Sequence, residues 1–323
     1  MNLKFITHIA RFIVAITYMF SGFVKLVDPI GTAIKFEEYF SEDVLNLTFL
    51  IPYVLPFSIL LILVELLLGV LLLVGFKPKL TTWSVALLMF VFLFLTWYSA
   101  YYDKVTDCGC FGDAVKLSAW GTFYKNVFFT ALIIILLFNI KYIKPWFGKL
   151  AANWIPFTTL LGGLFITYYV LQHLPIIDFR PFAIGNSIPK GMEFVDGEDF
   201  PPIHDFILEN DTDDLTEEVL TADKALLIIS YSLELGEINA FENFKELGDQ
   251  ALEKGYKLYV LSASLMETYN EIQDYYNLPF EFLYCDETAL KTMIRANPGI
   301  ITLEKGIIKG KWNWTDVDEV VLN

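Results

Sequence analysis

Three cysteines, three histidines and 19% charged residues are few for a chain of 323 residues. So little charge argues against an ordinary soluble protein, in which about a quarter of the residues are charged. A metal centre is poorly supplied: structural zinc takes about four ligands, and His8, His173 and His204 all lie far in sequence from the one close cysteine pair. Internal repeats and low-complexity tracts are also missing. Basic residues are scarce in the second half. Residues 175–323 carry 11 Lys/Arg against 29 Asp/Glu, a net of −18, while residues 1–174 carry 12 against 9, a net of +3. That acidity argues against binding nucleic acid or docking on anionic lipid, and reads as a solvated soluble surface.

What is present is apolar: 55% hydrophobic residues, 16% aromatic. They collect in blocks of about 20, the length that spans a bilayer. Five spans are predicted, at Ile6–Leu26, Pro52–Phe76, Thr81–Tyr102, Ala119–Ile140 and Trp154–Leu174. The first is too long for a signal peptide and shows no clear small-residue cleavage site, so it reads as an uncleaved span. Between the first two, Asp28–Asp43 has Ile30, Ala33, Ile34 and Phe40 near helical spacing, which fits either a short interfacial helix or an acidic loop. Lys4 and Arg11, then Lys77 and Lys79, then Lys141, Lys144 and Lys149 alternate with acidic loops. The positive-inside rule then places the N-terminus in the cytoplasm and the C-terminal part outside.

After a proline- and glycine-rich stretch from Pro175 to Pro202 the pattern turns to βαβ. Strands are predicted at Ala225–Ser230, Tyr256–Leu261 and Phe280–Tyr284. Helices are expected at Asn239–Lys254, Met266–Tyr276 and Ala289–Ile294, and a hairpin at Gly299–Leu303 and Ile307–Trp312. This order fits an α/β sandwich around one mixed sheet.

The third and fourth spans are joined by Asp107-Cys108-Gly109-Cys110-Phe111-Gly112. A Cys-X-Cys pair meets disulfide geometry only if the backbone turns tightly, and Gly109 permits that turn. So short a loop gives little entropic stapling, and a strained bond is easily reduced. A redox pair, an inert tight disulfide and a metal grip all remain open. Cys285 ends a core-type strand and reads as a buried thiol. Glu65 stands near the middle of the second span, where a carboxyl is expensive unless paired or neutral. Arg11 is its expected partner, with a proton or quinone site at Glu65 and Arg11 as the alternative. Lys25, at the outer end of the first span, reads as snorkelling.

The CGCFG string between apolar spans, with Ser21-Gly22-Phe23-Val24-Lys25-Leu26 and Asp28-Pro29 before it, resembles the MauE/DoxX group of redox-associated membrane proteins over about residues 1–145. The resemblance implies a four-helix membrane bundle, partnership in disulfide formation at the outer face of a bacterial inner membrane, and Cys108 and Cys110 as the reacting pair. It leaves a quinone open as electron acceptor and names no other cofactor. Residues 184–323 resemble a thioredoxin-like domain of the TlpA or peroxiredoxin type. Pro201–Leu208 resembles the opening strand, and Asn297-Pro298-Gly299-Ile300 falls where such domains carry a cis-proline. Where they carry a dithiol this chain has Ser230-Tyr231-Ser232-Leu233-Glu234-Leu235-Gly236, without cysteine. The expected fold is thus an α-helical membrane bundle, a fifth tethering helix with linker over 146–183, and a redox-silent α/β thioredoxin-like domain. The architecture is similar to the vitamin K epoxide reductase type, which uses CxxC where this chain has CxC. Two functions compete: a thiol–disulfide redox protein acting on outer-face or periplasmic client proteins, and a non-catalytic anchor or assembly factor presenting a degenerate thioredoxin-like domain.

Overall fold

The computed structural model describes residues 3–105, 109–115, 117–146, 148–195 and 200–323. The chain divides into two compact units, residues 1–171 and 172–323.

The first unit is helical: α1 (Leu3–Val27), α2 (Pro29–Phe40), α3 (Val54–Val74), α4 (Pro78–Tyr102), α5 (Ala119–Phe138) and α6 (Gly148–Gln172). Among the described residues, five helical segments are long and apolar enough to cross a membrane: Leu3–Val27, Thr48–Val74, Pro78–Tyr102, Ala119–Phe138 and Leu150–Gln172. The bundle's outer surface is apolar, with Leu80, Trp83, Leu87 and Phe90 of α4 all exposed. A water-facing bundle would put polar side chains there; lipid requires the opposite. The short interfacial helix forms as α2. Asp28 caps it by accepting from the Gly31 amide, and Pro29 opens it where its missing N–H costs nothing. Tyr39 of α2 pairs with Ser99 of α4 at 3.1 Å, between buried hydroxyls.

α1 packs along α3 and α5, and α4 along α5. At Gly22 the α1 backbone runs so close to α3 that an added Cβ would lie 2.7 Å from the Leu66 nitrogen. That contact fixes the antiparallel register of the two helices. It also decides which polar residues meet inside the bundle.

The second unit is a mixed α/β structure on a five-stranded sheet of order β3-β2-β1-β4-β5. Its strands are β1 (Ala225–Ile229), β2 (Lys257–Ser262), β3 (Glu281–Tyr284), β4 (Gly299–Glu304) and β5 (Ile307–Asn313). β1, β2 and β3 run parallel, while β4 is antiparallel to both β1 and β5. β1 is buried along its whole length, as a central strand covered on both faces must be. Leu226 and Ile228 face a core with α9 (Phe241–Glu253) and α10 (Met266–Tyr276), whereas Leu227 and Ile229 face one with α8 (Thr216–Thr221) and α11 (Glu287–Met293). The period-2 alternation of a strand produces this division.

Two expectations change here. Pro201–Leu208 forms no strand. Two consecutive prolines remove ladder donors, and Asp205 takes a left-handed φ of 56°. The segment runs irregularly beneath the sheet, burying Ile203, Phe206 and Leu208. The described parts of the proline- and glycine-rich stretch, 175–195 and 200–202, pack into the second unit. They contribute the short helix α7 (Ile188–Gly191) and buried Phe182 and Ile188. Arg180 Nε donates to Asp178 at 2.7 Å, and Lys311 Nζ of β5 donates to Asp178 at 2.7 Å and to the Phe182 carbonyl at 2.9 Å.

Candidate functional site

The polar interior of the first unit starts from the spacing Tyr18, Ser21, Lys25 on α1. Steps of three and four residues keep them on one helix face, and all three are buried. α3 brings Glu65, 2% exposed, against that face. Lys25 Nζ lies 2.7 Å from Glu65 Oε2 and 2.9 Å from Ser21 Oγ. The expected Glu65–Arg11 tie does not form. With Gly22 beside Leu66, Glu65 stands level with about residue 23 of α1, roughly 18 Å along the axis from Arg11 at 1.5 Å per residue. Arg11 lies at the other end of α3. There it donates to the carbonyls of Leu72 at 2.8 Å, Leu73 at 2.7 Å and Lys144 at 3.0 Å, with its guanidinium 4.3 Å from the Trp146 ring. The last carbonyls of a helix lack intrahelical partners and carry the negative end of the dipole, so a buried cation is satisfied there without a carboxylate.

Cys108 lies outside the described residues. Cys110 is half-buried, and its carbonyl accepts from Ser21 Oγ at 2.6 Å. Gly109 has φ +62°, a left-handed conformation that favours glycine, and an added Cβ would lie 3.0 Å from Lys35 Cγ. Phe111 packs against Phe20 at 5.5 Å between centroids, and Lys125 Nζ stands 4.1 Å from the Phe111 ring centre. The loop therefore closes a cavity of about 20 Å³ lined by Tyr18, Ser21, Lys25, Glu65, Lys125 and Asn126 among others. That volume accommodates about one water molecule. Asn126 in turn donates to Thr96 Oγ1 at 3.2 Å. Among the described residues, no group of three or more His, Cys, Asp or Glu side chains is placed to hold a metal ion.

Lys25 was legible only in part. Its place at a span end suggests snorkelling, but the Cα–Cβ bond points back toward the helix N-terminus, which directs the ammonium inward toward Glu65. Asn126 and Tyr18 carried no signal that separated them from ordinary span residues.

In the second unit, Asn297 joins the segment after β1 to the one before β4. Ser230 Oγ and Asn297 Oδ1 are 2.8 Å apart, Asn297 Nδ2 donates to the Ser232 carbonyl at 2.8 Å, and the Asn297–Pro298 peptide is cis. Leu233 is buried, Tyr231 half-buried and Leu235 82% exposed. Cys285 is fully buried at the end of β3, where burial pushes its thiol up to about 12. A thiol held protonated is inert in exchange.

Fold and site together define a membrane protein: a bundle of membrane-spanning length whose polar interior is capped by a cysteine-bearing loop, followed by a mixed α/β unit. Residues 3–139 match the family model for the methylamine utilisation protein MauE. The match contains α1 to α5 and the cysteine loop, and it leaves the second unit outside. No curated protein matches the chain.

Proposed function

We propose that this is a membrane thiol–disulfide redox protein whose reacting groups are Cys108 and Cys110, acting on thiol proteins at the outer face of the membrane. The observation that carries the reading is the seating of the Cys110 peptide on the buried Lys25–Glu65 pair through Ser21. A spacer loop has no need of a buried charge pair beneath it, which is costly inside a membrane-length bundle. The match to MauE over the same residues supports a redox-associated accessory role. Methylamine utilisation belongs to the name of that family, and clients are defined here only by their thiols.

The exchange is balanced within two pairs. A client thiolate attacks one sulfur of the Cys108–Cys110 disulfide and releases the other as thiolate. The second client thiolate then displaces the first adduct. Two electrons pass to the pair, leaving the client oxidised and Cys108 and Cys110 reduced. In the reverse sense the pair reduces the client. Neither step is routed through a quinone.

The second unit is read as a thioredoxin-like client-binding domain without its own dithiol. Its support is the sheet order, with β4 alone running against the other four strands, and the hydrogen bond by which Asn297 holds the segment after β1. Trapping tests the whole reading. Cys110→Ser should accumulate mixed disulfides between Cys108 and outer-face proteins, visible on non-reducing gels and lost in the Cys108→Ser/Cys110→Ser variant. A pair that is always oxidised in cells, with a fully functional double-serine variant, would leave the protein as an anchor or assembly factor instead.

A further inference from the structure

We propose that Ser21, Lys25 and Glu65 form a latch that seats the Cys110 peptide at the mouth of the bundle, and that opening this latch exposes Cys110 to a reacting thiol. Its role in client exchange rests on the thiol–disulfide reading above; the latch itself does not.

The chemistry of the donors fixes the direction of the chain. A lysine ammonium has three donors and no acceptor. Lys25 therefore donates to both Glu65 Oε2 and Ser21 Oγ, at 2.7 and 2.9 Å. Ser21 Oγ accepts from Lys25, so its single hydrogen is committed to the Cys110 carbonyl at 2.6 Å. Glu65 orients Lys25, Lys25 orients Ser21, and Ser21 holds the loop. None of the three need touch the reacting sulfur; they act as positioning residues.

Energetics argue that the pair exists for this rather than for folding. Burying two opposite charges costs at least as much as their attraction commonly returns, and apolar replacements of similar volume are often neutral or stabilising. The cost is sharper inside a membrane. α1 and α3 already hold each other by the close approach at Gly22 and by the buried contacts of Ala15, Tyr18, Leu68 and Leu72. The latch bond is a single hydrogen bond to a backbone carbonyl, so its loss should shift the docked loop about tenfold toward the open form. The second foothold of the loop is Phe111, against Phe20 and Lys125. Opening is therefore a shift in population rather than the loss of the loop's seat.

The test uses the full-length protein in lipid nanodiscs with Cys108→Ser in the background, so that Cys110 is the reactive thiol and buried Cys285 reports only unfolding. The measurement is the rate of Cys110 alkylation by a maleimide. Ser21→Ala should raise it about tenfold, and Ser21→Thr, which keeps the hydroxyl, should return it to within about twofold of the parent. Lys25→Met/Glu65→Leu should raise it equally while leaving the melting temperature at or above the parent's. Alkylation unchanged in both Ser21→Ala and the folded double variant would overturn the latch. So would a double variant that loses stability while keeping Cys110 protected, since the pair would then be structural. Client trapping is scored separately. Adducts in the Cys110→Ser protein with an unresponsive alkylation rate sink the latch alone, and a responsive rate without adducts sinks the redox reading alone.

Discussion

Asp178, Arg180 and Lys311 set two cations around one carboxylate in the wall of the second unit, and the pH dependence follows from which of them holds its proton. Burial pushes Asp178 up, but Arg180 and then Lys311 outweigh it and hold the carboxyl at about 2. Burial, with Arg180 second, pulls Lys311 down to about 7 against the opposing attraction of Asp178. The two shifts pull in opposite senses for the Asp178–Lys311 contact. We place the charge on Asp178 and Arg180, because Arg180 grips both carboxylate oxygens, at 2.7 and 2.9 Å, which leaves Lys311 as the surplus cation. The carboxylate's contribution is present above its usual 3.8 and is lost as pH falls toward 2. For Lys311 the unfolded chain binds more protons between about 7 and the usual 10.5, so stability rises with pH across that window and is flat below it. Hydrogen-exchange protection of the β5 amides, corrected for intrinsic rate, should increase from pH 7 to 9, and Lys311→Met should abolish the increase. Persistence of the rise in that variant would assign it to another group. None of this was legible in the sequence, where 178 to 182 stood in a presumed linker and Lys311 was one residue of a hairpin. Glu65, by contrast, announced itself by standing alone in an apolar span, although its partner did not.

The difference between seeing Glu65 and finding Lys25 lies at the level of helix register. Apolar runs located every membrane-length helix to within a few residues, because length and composition are local properties. Pairing across α1 and α3 depends on how far one helix slides along the other, and counting residues from span ends cannot measure that. The slide is fixed at Gly22, which sits within Ser21–Leu26 but carries no partner information by itself. Gly22→Ala would place a methyl 2.7 Å from the Leu66 nitrogen and 2.9 Å from its Cα, both rigid backbone atoms. It should cost about 1–3 kcal/mol by overpacking, read as a lower midpoint for unfolding of the reconstituted protein. An unchanged midpoint would mean that the helices can part at little cost, and the register would then rest on the Lys25–Glu65 contact instead. The sheet was easier to read than the bundle contacts: β1, β2, β3 and the β4–β5 hairpin carry their own period and turn signals. The failure was 201–208, where resemblance to the opening strand of another family suggested a strand although its prolines already forbade regular pairing.

Across the first unit, charge is sorted by end. Arg11 meets Leu72, Leu73 and Lys144 at one end, the end that also holds Lys77 and Lys79. α2, with Glu37 and Glu38, and the cysteine loop share the other, where Lys35 of α2 comes close to Gly109. The basic end lacks Asp and Glu among residues 3–15, 71–82 and 139–149. An insertion machinery that retains Lys and Arg in the cytoplasm would keep this end inside, and five crossings then carry the C-terminal unit to the outer side. We therefore expect reporter fusions after Lys79, Asp113, Lys149 and Asp178 to read inside, outside, inside and outside. The Asp178 fusion is the critical one. α6 is the least apolar of the five candidate spans, at a mean hydropathy of 1.4, and it contains Pro156. If α6 lay along the membrane surface instead of crossing it, the Asp178 reporter would read inside while the Asp113 reporter still read outside. The cysteine loop and the second unit would then face different compartments, and no client bound by one could reach the thiols of the other. The client-binding role of the second unit requires the crossing, so an inside result at Asp178 would remove that unit from the mechanism while leaving the seat of Cys110 intact.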